Sequence, residues 1–523
     1  MATLLIALAC GQAPAVPLAE TATAAPLTTA PSPSPGSSAP ILIGTEYVLL
    51  DNPGRLSSVA ELLAPIGLHM AKPLPEHITW GRMQPSADAA VDFSRLDDFV
   101  RAFQSAGFTD FLLALKTDSP WGSKDFPRLL SANPTPKPQY MQAYERWIAG
   151  VVERYDADGA DDMPGLLGPI RYYEIGSEFS SYEPEPVADY LEMLEHAYAA
   201  AHAASEEVIV THAAFLTTLA FAGKPGIAEY EAAFARVPDL SHSLADNQRI
   251  LDRPDIFDVL NVHSLGDPYE IEDIVGWLDW EMDQRGYHKR IIMSDTGTTP
   301  FIAWGQAVVC DQAPKTMGRI IPPATEADRC RLADYFTKLV DGDEPTVRWT
   351  QAFAAEDAVK KVVVSVSQGL LLINTAFTED FFWQKLPLFR AGAGTGAWAG
   401  LVSVEGREFR PGYYALAQLI DHLDGYQSIS RLDLGRNDLR VYEVVLPGRR
   451  LWIAWHDPGR LILPGDPIAA ASMRLDVGAA SVAVERLITE FGRSVADVTI
   501  LPTDAGILTL NLTPTPVFIY AGN

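Results

Sequence analysis

A (β/α)8 TIM barrel followed by a small all-β sandwich is the α/β architecture this chain predicts. Three features carry that expectation. Short, continuously apolar runs alternate with stretches of helical periodicity from residue 41 onward, which implies a parallel sheet covered by helices. Seven such alternations follow one another, a count that suits a closed barrel better than an open sheet. After about residue 425 the texture changes to short runs punctuated by Pro, Gly and Asp, as antiparallel strands are.

The elements follow in order. Ile41–Leu50 reads as the first strand and Ser57–Ile66 as a helix. Gly67–Pro73, extended as far as Trp80, reads as the second strand; Phe93, Leu96, Phe99, Val100 and Phe103 then mark one helical face. Asp110–Lys116 is the third strand. Tyr144, Trp147, Ile148, Val151, Val152 and Tyr155 recur at helical spacing, and Arg171–Gly176 is the fourth strand. The helix on Val187, Tyr190, Leu191, Leu194 and Tyr198 leads to a fifth strand at Glu207–Thr211. Asp258–His263, the helix Ile271–Met282 and Arg290–Ser294 supply strands six and seven; Leu332–Val340 is helical. Leu370–Asn374 is the candidate eighth strand, preceded by Val359–Val366, which fits helix or strand. Leu439–Leu446, Leu451–Trp455, Ser481–Leu487 and Ile507–Leu512 read as sandwich strands, closed by Phe518 and Tyr520. The implied domains are 41–425 for the barrel and 426–523 for the sandwich.

Charge excludes whole classes of function. The 523 residues include 67 acidic and 40 basic side chains, a net charge of −27. Nucleic acid is therefore not an expected partner, since its binding rests on Lys and Arg against phosphate. No run of about 18 apolar residues offers a transmembrane helix. The N-terminus reads as an address. Residues 1–10 hold an apolar run from Leu4 to Ala9 followed by Cys10, which resembles the end of a bacterial lipoprotein signal with Cys10 as the lipidated residue. Residues 11–40, rich in Ala, Pro, Ser and Thr, form a linker unable to bury a core. An exported domain follows from the two together: a cell-surface or periplasmic lipoprotein, or a secreted protein, whose only membrane contact is the lipid anchor. In such a compartment Cys310 and Cys330 become a candidate disulfide, the alternative being inert thiols.

In a barrel, chemistry gathers at the C-terminal ends of the strands. Those ends offer Lys72, Trp80 or Arg82 after the second strand and Lys116, Asp118 and Trp121 after the third. The fourth offers Ser177-Glu178-Phe179, the sixth His263, and the seventh Ser294-Asp295-Thr296-Gly297. Asn374, Phe377, Glu379 or Asp380 end the eighth. Glu178 and Asp295 each follow a buried strand directly, where a solvated acid is unexpected. Two carboxylates facing one cleft are what glycosidic cleavage needs, one to protonate the leaving oxygen and one to attack or support the sugar centre. The plain alternative is that each caps a helix or pairs with a base.

Here the sequence resembles the barrel glycoside hydrolases of the large retaining clan, clan A. Their fourth strand ends in Asn-Glu-Pro and their seventh in Thr/Ser-Glu-aromatic-Gly. Glu174-Ile175-Gly176-Ser177-Glu178-Phe179 looks like the first pattern and Ser294-Asp295-Thr296-Gly297 like the second. His263 is similar to the sixth-strand His near the nucleophile. Phe409-Arg410-Pro411-Gly412-Tyr413-Tyr414-Ala415-Leu416 resembles their last barrel helix, and Tyr442–Val445, Leu451–Trp455 and Thr515–Phe518 their appended sandwich. The resemblance spans residues 41–523 and implies Glu178 as acid/base and Asp295 as nucleophile, or as general base if inversion applies. Three positions depart from the pattern: Ser177 stands for Asn, Phe179 for Pro and Asp295 for Glu. The shorter acid retreats by about 1.5 Å, one C–C bond. It thereby opens a second reading, a catalytically degenerate carbohydrate-binding surface lipoprotein; a purely structural surface protein is the third.

Expected substrate contacts are Ser177, His263 and Lys72, with Trp80, Trp121, Tyr182, Trp304 and Trp383 as stacking faces on an oligo- or polysaccharide. Each aromatic has core or lid packing as its plainer reading. Neither a cofactor nor a metal is expected. Asp156–Asp162 misses the calcium-loop spacing and reads as a solvated turn. His-Glu-x-x-His, Gly-x-Gly-x-x-Gly, Walker and Gly-x-Ser-x-Gly patterns do not occur.

Overall fold

The computed structural model describes residues 41–47, 53–124, 134–179, 186–217, 219–236, 242–296, 310, 322–380, 400–403 and 408–521. Eight parallel strands close into a barrel in sequence order. They are β1 (Leu42–Tyr47), β2 (Met70–Pro73), β3 (Asp110–Leu115), β4 (Tyr172–Phe179), β5 (Ile209–Leu216), β6 (Leu260–His263), β7 (Ile291–Asp295) and β8 (Leu372–Phe377). Their outward residues join the helices in one large core. In the helix Met141–Tyr155, for instance, Tyr144, Trp147, Ile148, Val151, Val152 and Tyr155 are all buried. A separate small cluster fills the base of the barrel: Met70, Leu112, Tyr172, Val259, Ile292 and Leu372. Gly44 leaves room there for the Met70 side chain on the neighbouring strand, whose terminal methyl lies 2.1 Å from where a Cβ would sit.

Several boundaries differ from the sequence reading, for definite reasons. The second strand stops at Pro73, and Trp80 instead opens the short helix Trp80–Met83. Proline after Lys72 and again at 75 ends the ladder. Val359–Val366, ambiguous by pattern, belongs to the helix Glu344–Ser367. That helix is buried nearly all round, so its periodicity is erased. Strands four and five both run further than the apolar pattern suggests: β4 continues through the polar pair Ser177-Glu178, and β5 continues past His212 to Leu216.

Beyond the helix Pro411–Leu423 come β9 (Ser428–Arg431), β10 (Leu439–Leu446), β11 (Arg449–His456), β12 (Ala471–Asp476), β13 (Ser481–Arg486), β14 (Val498–Pro502), β15 (Ile507–Leu512) and β16 (Val517–Ala521). Six of them form a sheet in the order β14-β13-β16-β11-β10-β9, while β12 pairs with β15. The two sheets enclose Val441, Trp452, Met473, Leu475, Leu508 and Leu512. The sandwich is pinned to the barrel by polar aromatic contacts. Arg440 lies 3.6 Å over the Tyr269 ring and pairs with Glu272 at 3.1 Å. The Trp455 indole N–H donates to the Tyr269 hydroxyl at 2.7 Å. Cys310 and Cys330 are joined by a disulfide, Cα–Cα 4.2 Å.

His212 shows how the barrel tolerates an irregular ladder. Thr211 bridges Val259, whereas Phe215 and Leu216 pair with Val262 and His263, so the β5–β6 register slips between them. The His212 ring fills that gap. Its Nδ1–H donates to the Ala213 carbonyl at 2.7 Å, and its Nε2 accepts from the Asn261 amide at 3.3 Å. Both nitrogens are thereby committed to the neutral tautomer, and burial pushes the imidazole down to about 4. A depressed base stabilises the fold above the unfolded value and loses that stabilisation as pH falls through the folded one. Between pH 6.5 and about 4 this group should forfeit on the order of 3 kcal/mol. His212→Gln should flatten that acid limb in urea unfolding measured across the interval; an unchanged slope would contradict the assignment.

Candidate active site

The ends of the strands are reshaped by β-bulges, and the bulges aim the functional groups. On β4 the pairing jumps from Ile175 with His212 to Glu178 with Ala214, so Gly176 and Ser177 oppose Ala213 alone. Gly176 takes φ +93°, a conformation that costs an L side chain about 1–2 kcal/mol. The Tyr190 hydroxyl stitches the bulge, donating to the Ile175 carbonyl at 2.9 Å and accepting from the Ala213 amide at 2.6 Å. On β7 the register passes from Val262 with Met293 to His263 with Asp295, leaving Ser294 as the extra residue. β1 and β8 slip likewise between Gly44 and Thr45.

Glu178, His263 and Asp295 are brought together. His263 Nδ1 lies 3.0 Å from Glu178 Oε1, and Nε2 lies 2.8 Å from Ser294 Oγ. Asp295 is the register partner of His263. Burial opposes a charge on His263. The hydrogen bond and charge of Glu178, joined by the charges of Asp295 and Glu174, more than offset it and hold the imidazole above its ordinary pKa. Ser294 is itself fixed, its amide donating to Asn261 Oδ1 at 3.2 Å. Glu178, Ser177 and Asp295 are half-buried while His263 is fully buried, so the acids keep access that the histidine does not have.

Two further acids line the mouth that the sequence reading did not single out. Glu174, fully buried, accepts from the Ala214 amide at 3.1 Å, and burial raises its pKa. Glu46, at the end of β1, lies 2.8 Å from Lys72 Nζ. Burial pushes Glu46 up to about 7; Lys72 pulls it down and the charge of Asp295 pushes it up again. Strand-end position was the available signal for Glu46 alone; Glu174 lies inside the β4 run, where an acid reads as an interruption.

Some expected contacts are corrected. Lys72, expected to touch substrate, is 2 % exposed and turns its ammonium to Glu46 and, at 3.2 Å, to the Ser294 carbonyl. Trp80 is fully buried, with ring centroids 4.6 Å from Trp121, 5.6 Å from Tyr144 and 6.3 Å from Trp147. It is core, since the chain at 80–81 folds back along 116–118 through Trp80 N–H to Lys116 O at 2.9 Å. Trp121 keeps partial exposure but commits its N–H to the Gln84 carbonyl at 2.8 Å and an edge to Tyr140. Phe179, standing where the clan pattern has Pro, stacks on His242 at 3.9 Å and packs against Tyr190 and Phe215. Glu379 pairs with Arg55, and Asp380 with Arg410 at 2.7 Å, so both serve the rim as ion pairs. Tyr182, Trp304, Trp383 and Cys10 lie outside the described residues.

Asp156, Asp158 and Asp162 place carboxylate oxygens within 4.8 Å of one another. Those oxygens accept from the turn's own amides, Asp162 from Ala157 at 3.0 Å and Gly159 at 2.8 Å, and Asp158 from Ala160 at 2.7 Å. The cluster is a self-capped turn.

A closed parallel barrel with an appended β-sandwich is a fold that solved structures share. No protein-family model matches the chain, and no curated protein matches it. A family 39 glycoside hydrolase from Bacteroides cellulosilyticus is similar at 13% identity and TM-score 0.57, over 92% of this chain and 81% of that one. A glucosidase from Croceicoccus marinus is similar at 11% identity and TM-score 0.52, over 93% and 97%. An α-L-arabinofuranosidase from Thermotoga maritima is similar at 9% identity and TM-score 0.50, over 88% and 89%. The chain shares the barrel-and-sandwich fold of these solved structures.

Trp80 separates core from cleft experimentally. Trp80→Ala should cost about 3–5 kcal/mol in urea unfolding, as large aromatic deletions do. At a temperature where the variant stays folded, its affinity for glycan ligands should be unchanged; weakened binding there would restore the stacking role.

Proposed function

We propose that the chain is an exported glycoside hydrolase acting on an oligo- or polysaccharide, with Glu178 as acid/base and Asp295 as nucleophile or, across a water, as general base. One observation carries the reading: His263 is hydrogen-bonded to Glu178 and register-paired with Asp295, so one histidine links the strand ends that carry both acids. The neighbours named above as a glycoside hydrolase, a glucosidase and an arabinofuranosidase support the same class.

The chemistry follows from the network. Glu178 Oε1 and His263 Nδ1 share a hydrogen bond, and the carboxylate beside it holds the imidazole above its ordinary pKa. As the acid, Glu178 gives a proton to the glycosidic oxygen as the C–O bond breaks. In the retaining course Asp295 forms a bond to the anomeric carbon; water, giving its proton to Glu178, then displaces Asp295. In the inverting course Asp295 takes a proton from a water that attacks directly. The short side chain at 295 favours the second course, and it is also what supports the alternative, a sugar-binding barrel that no longer cuts.

Export is part of the proposal. The Cys310–Cys330 disulfide supports an oxidising compartment. The lipoprotein-like segment at Cys10 and the linker of residues 11–40 support tethering there.

The test uses 4-nitrophenyl β-D-glucoside, β-D-xyloside and α-L-arabinofuranoside beside the corresponding unactivated disaccharides. Asp295→Asn should abolish turnover of all substrates that the wild type cleaves. Glu178→Gln should slow unactivated substrates about 10²–10⁴-fold, the usual worth of a general acid, and nitrophenyl substrates far less, since nitrophenolate leaves unaided. Proton NMR of the first-formed anomer decides between retention and inversion. Glycan binding with no cleavage over long incubation would establish the degenerate barrel instead.

A further inference from the structure

One buried ion pair of the mouth has no part in the two-carboxylate scheme. Glu46 and Lys72 are register partners on β1 and β2, 2.8 Å apart, with side chains 5% and 2% exposed. Lys72 Nζ also reaches across the barrel to the Ser294 carbonyl at 3.2 Å. β2 and β7 are not neighbours in the barrel, so this bond spans its interior. Ser294 is the bulged residue directly before Asp295.

Stability does not account for the pair. Removing two charges from water costs about as much as their attraction returns, and an apolar pair of equal volume would serve the core at least as well. What the pair does, and an apolar pair could not, is fix a cation and a hydrogen-bond donor at the residue that carries Asp295. That matters more for an aspartate than for a glutamate. With one methylene fewer, the position of its carboxylate is set by the backbone rather than by side-chain reach.

We propose that Glu46 is a positioning residue for Asp295 that acts through Lys72, anchoring the ammonium against the Ser294 carbonyl and so setting both the place and the local field of the Asp295 carboxylate. The proposal rests on Asp295 being a reacting acid of this site. The charged groups facing Glu46 are Lys72 from β2, Glu76 from the turn after it and Asp295 from β7; Glu174 on β4 faces Lys72 in turn. Glu46 and Asp295 thus compete for one ammonium. When Glu46 takes up a proton, Lys72 is left to Asp295 and Glu174. Burial, which raises Glu46 to about 7, places that exchange in the neutral range.

The first arm needs no turnover. Thermal unfolding at about pH 8 is measured for Glu46→Gln, Asp295→Asn and the double variant. The two shifts should be non-additive, Asp295→Asn raising Tm more when Glu46 is present than in the Glu46→Gln background, because like charges sharing one cation are relieved only once. Additive shifts would overturn the proposal whether or not any glycoside is cleaved. The second arm uses the nitrophenyl glycoside cleaved fastest by the wild type. Glu46→Gln and Lys72→Met should each lower kcat by about tenfold or more with KM within about twofold, and the double variant should be no slower than Lys72→Met alone. Glu46→Gln should also erase a neutral-range inflection of kcat against pH that Glu46→Asp retains. A change confined to KM would assign the pair to substrate contact, and unchanged kcat with intact folding would reduce it to scaffolding. Either result defeats the proposal. Failure of the hydrolase reading itself shows differently, as absent turnover in the wild type beside coupled shifts in Tm.

Discussion

Lys72 is the charge on which this barrel mouth depends. Its ammonium lies among Glu46, Glu174 and Asp295, whose negative charges hold it protonated although burial opposes that. Carboxylates inside a barrel are costly unless paired, and the cost falls on whichever form of the acid carries charge. With Lys72 held charged and His263 held above its ordinary pKa, the mouth can keep several acids close together. Burial raises Glu174, it raises Glu46 to about 7, and Glu178 is hydrogen-bonded to a histidine held above its ordinary pKa. Acids pushed apart in this way are the raw material of acid–base catalysis.

Backbone irregularity is the second constraint. Three strand pairs change register within a residue or two of the groups they present: β4 with β5 before Glu178, β6 with β7 before Asp295, and β1 with β8, where Thr375 is the extra residue, before Glu46. A regular strand alternates its side chains between barrel interior and helix layer, so Ser177 and Glu178 could not both approach the mouth without a bulge. Gly176 with φ +93° permits the one on β4, and the hydroxyl of Tyr190 satisfies both backbone groups that it frees. His212 does the same for β5 and β6 with an imidazole. Polar side chains in the helix layer thus sustain geometry in the mouth.

The aromatic content divides between these tasks. Trp80, Tyr144 and Trp147 build the wall behind β3 and the helix Met141–Tyr155, and Trp455 and Tyr269 join the sandwich to the barrel. Arg440 on the Tyr269 ring, paired with Glu272, adds a partly buried cation to that joint. The sandwich therefore braces the segment that follows His263, and β6 reaches the site with its outer end fixed.

Sequence alone determined the periodicities, and with them the barrel, its strand order and the sandwich. Continuous apolar strands and amphipathic helices state which faces must leave water, and that is a local property of the chain. It also marked Glu178, His263 and Asp295, because an acid or histidine ending an apolar run breaks the pattern where a barrel does its chemistry. It could not sort Trp80 from a cleft residue, since a tryptophan near a strand end has the same local signature whether the chain turns inward or outward. Nor could it place Glu46 against Lys72, or Lys72 against Ser294. Those contacts join β1, β2 and β7, residues up to 222 positions apart, and arise only when barrel closure brings their charges into one dry space. Burial and charge proximity are properties of that closed volume, so only the tertiary structure decided which acids are raised and which cation they share.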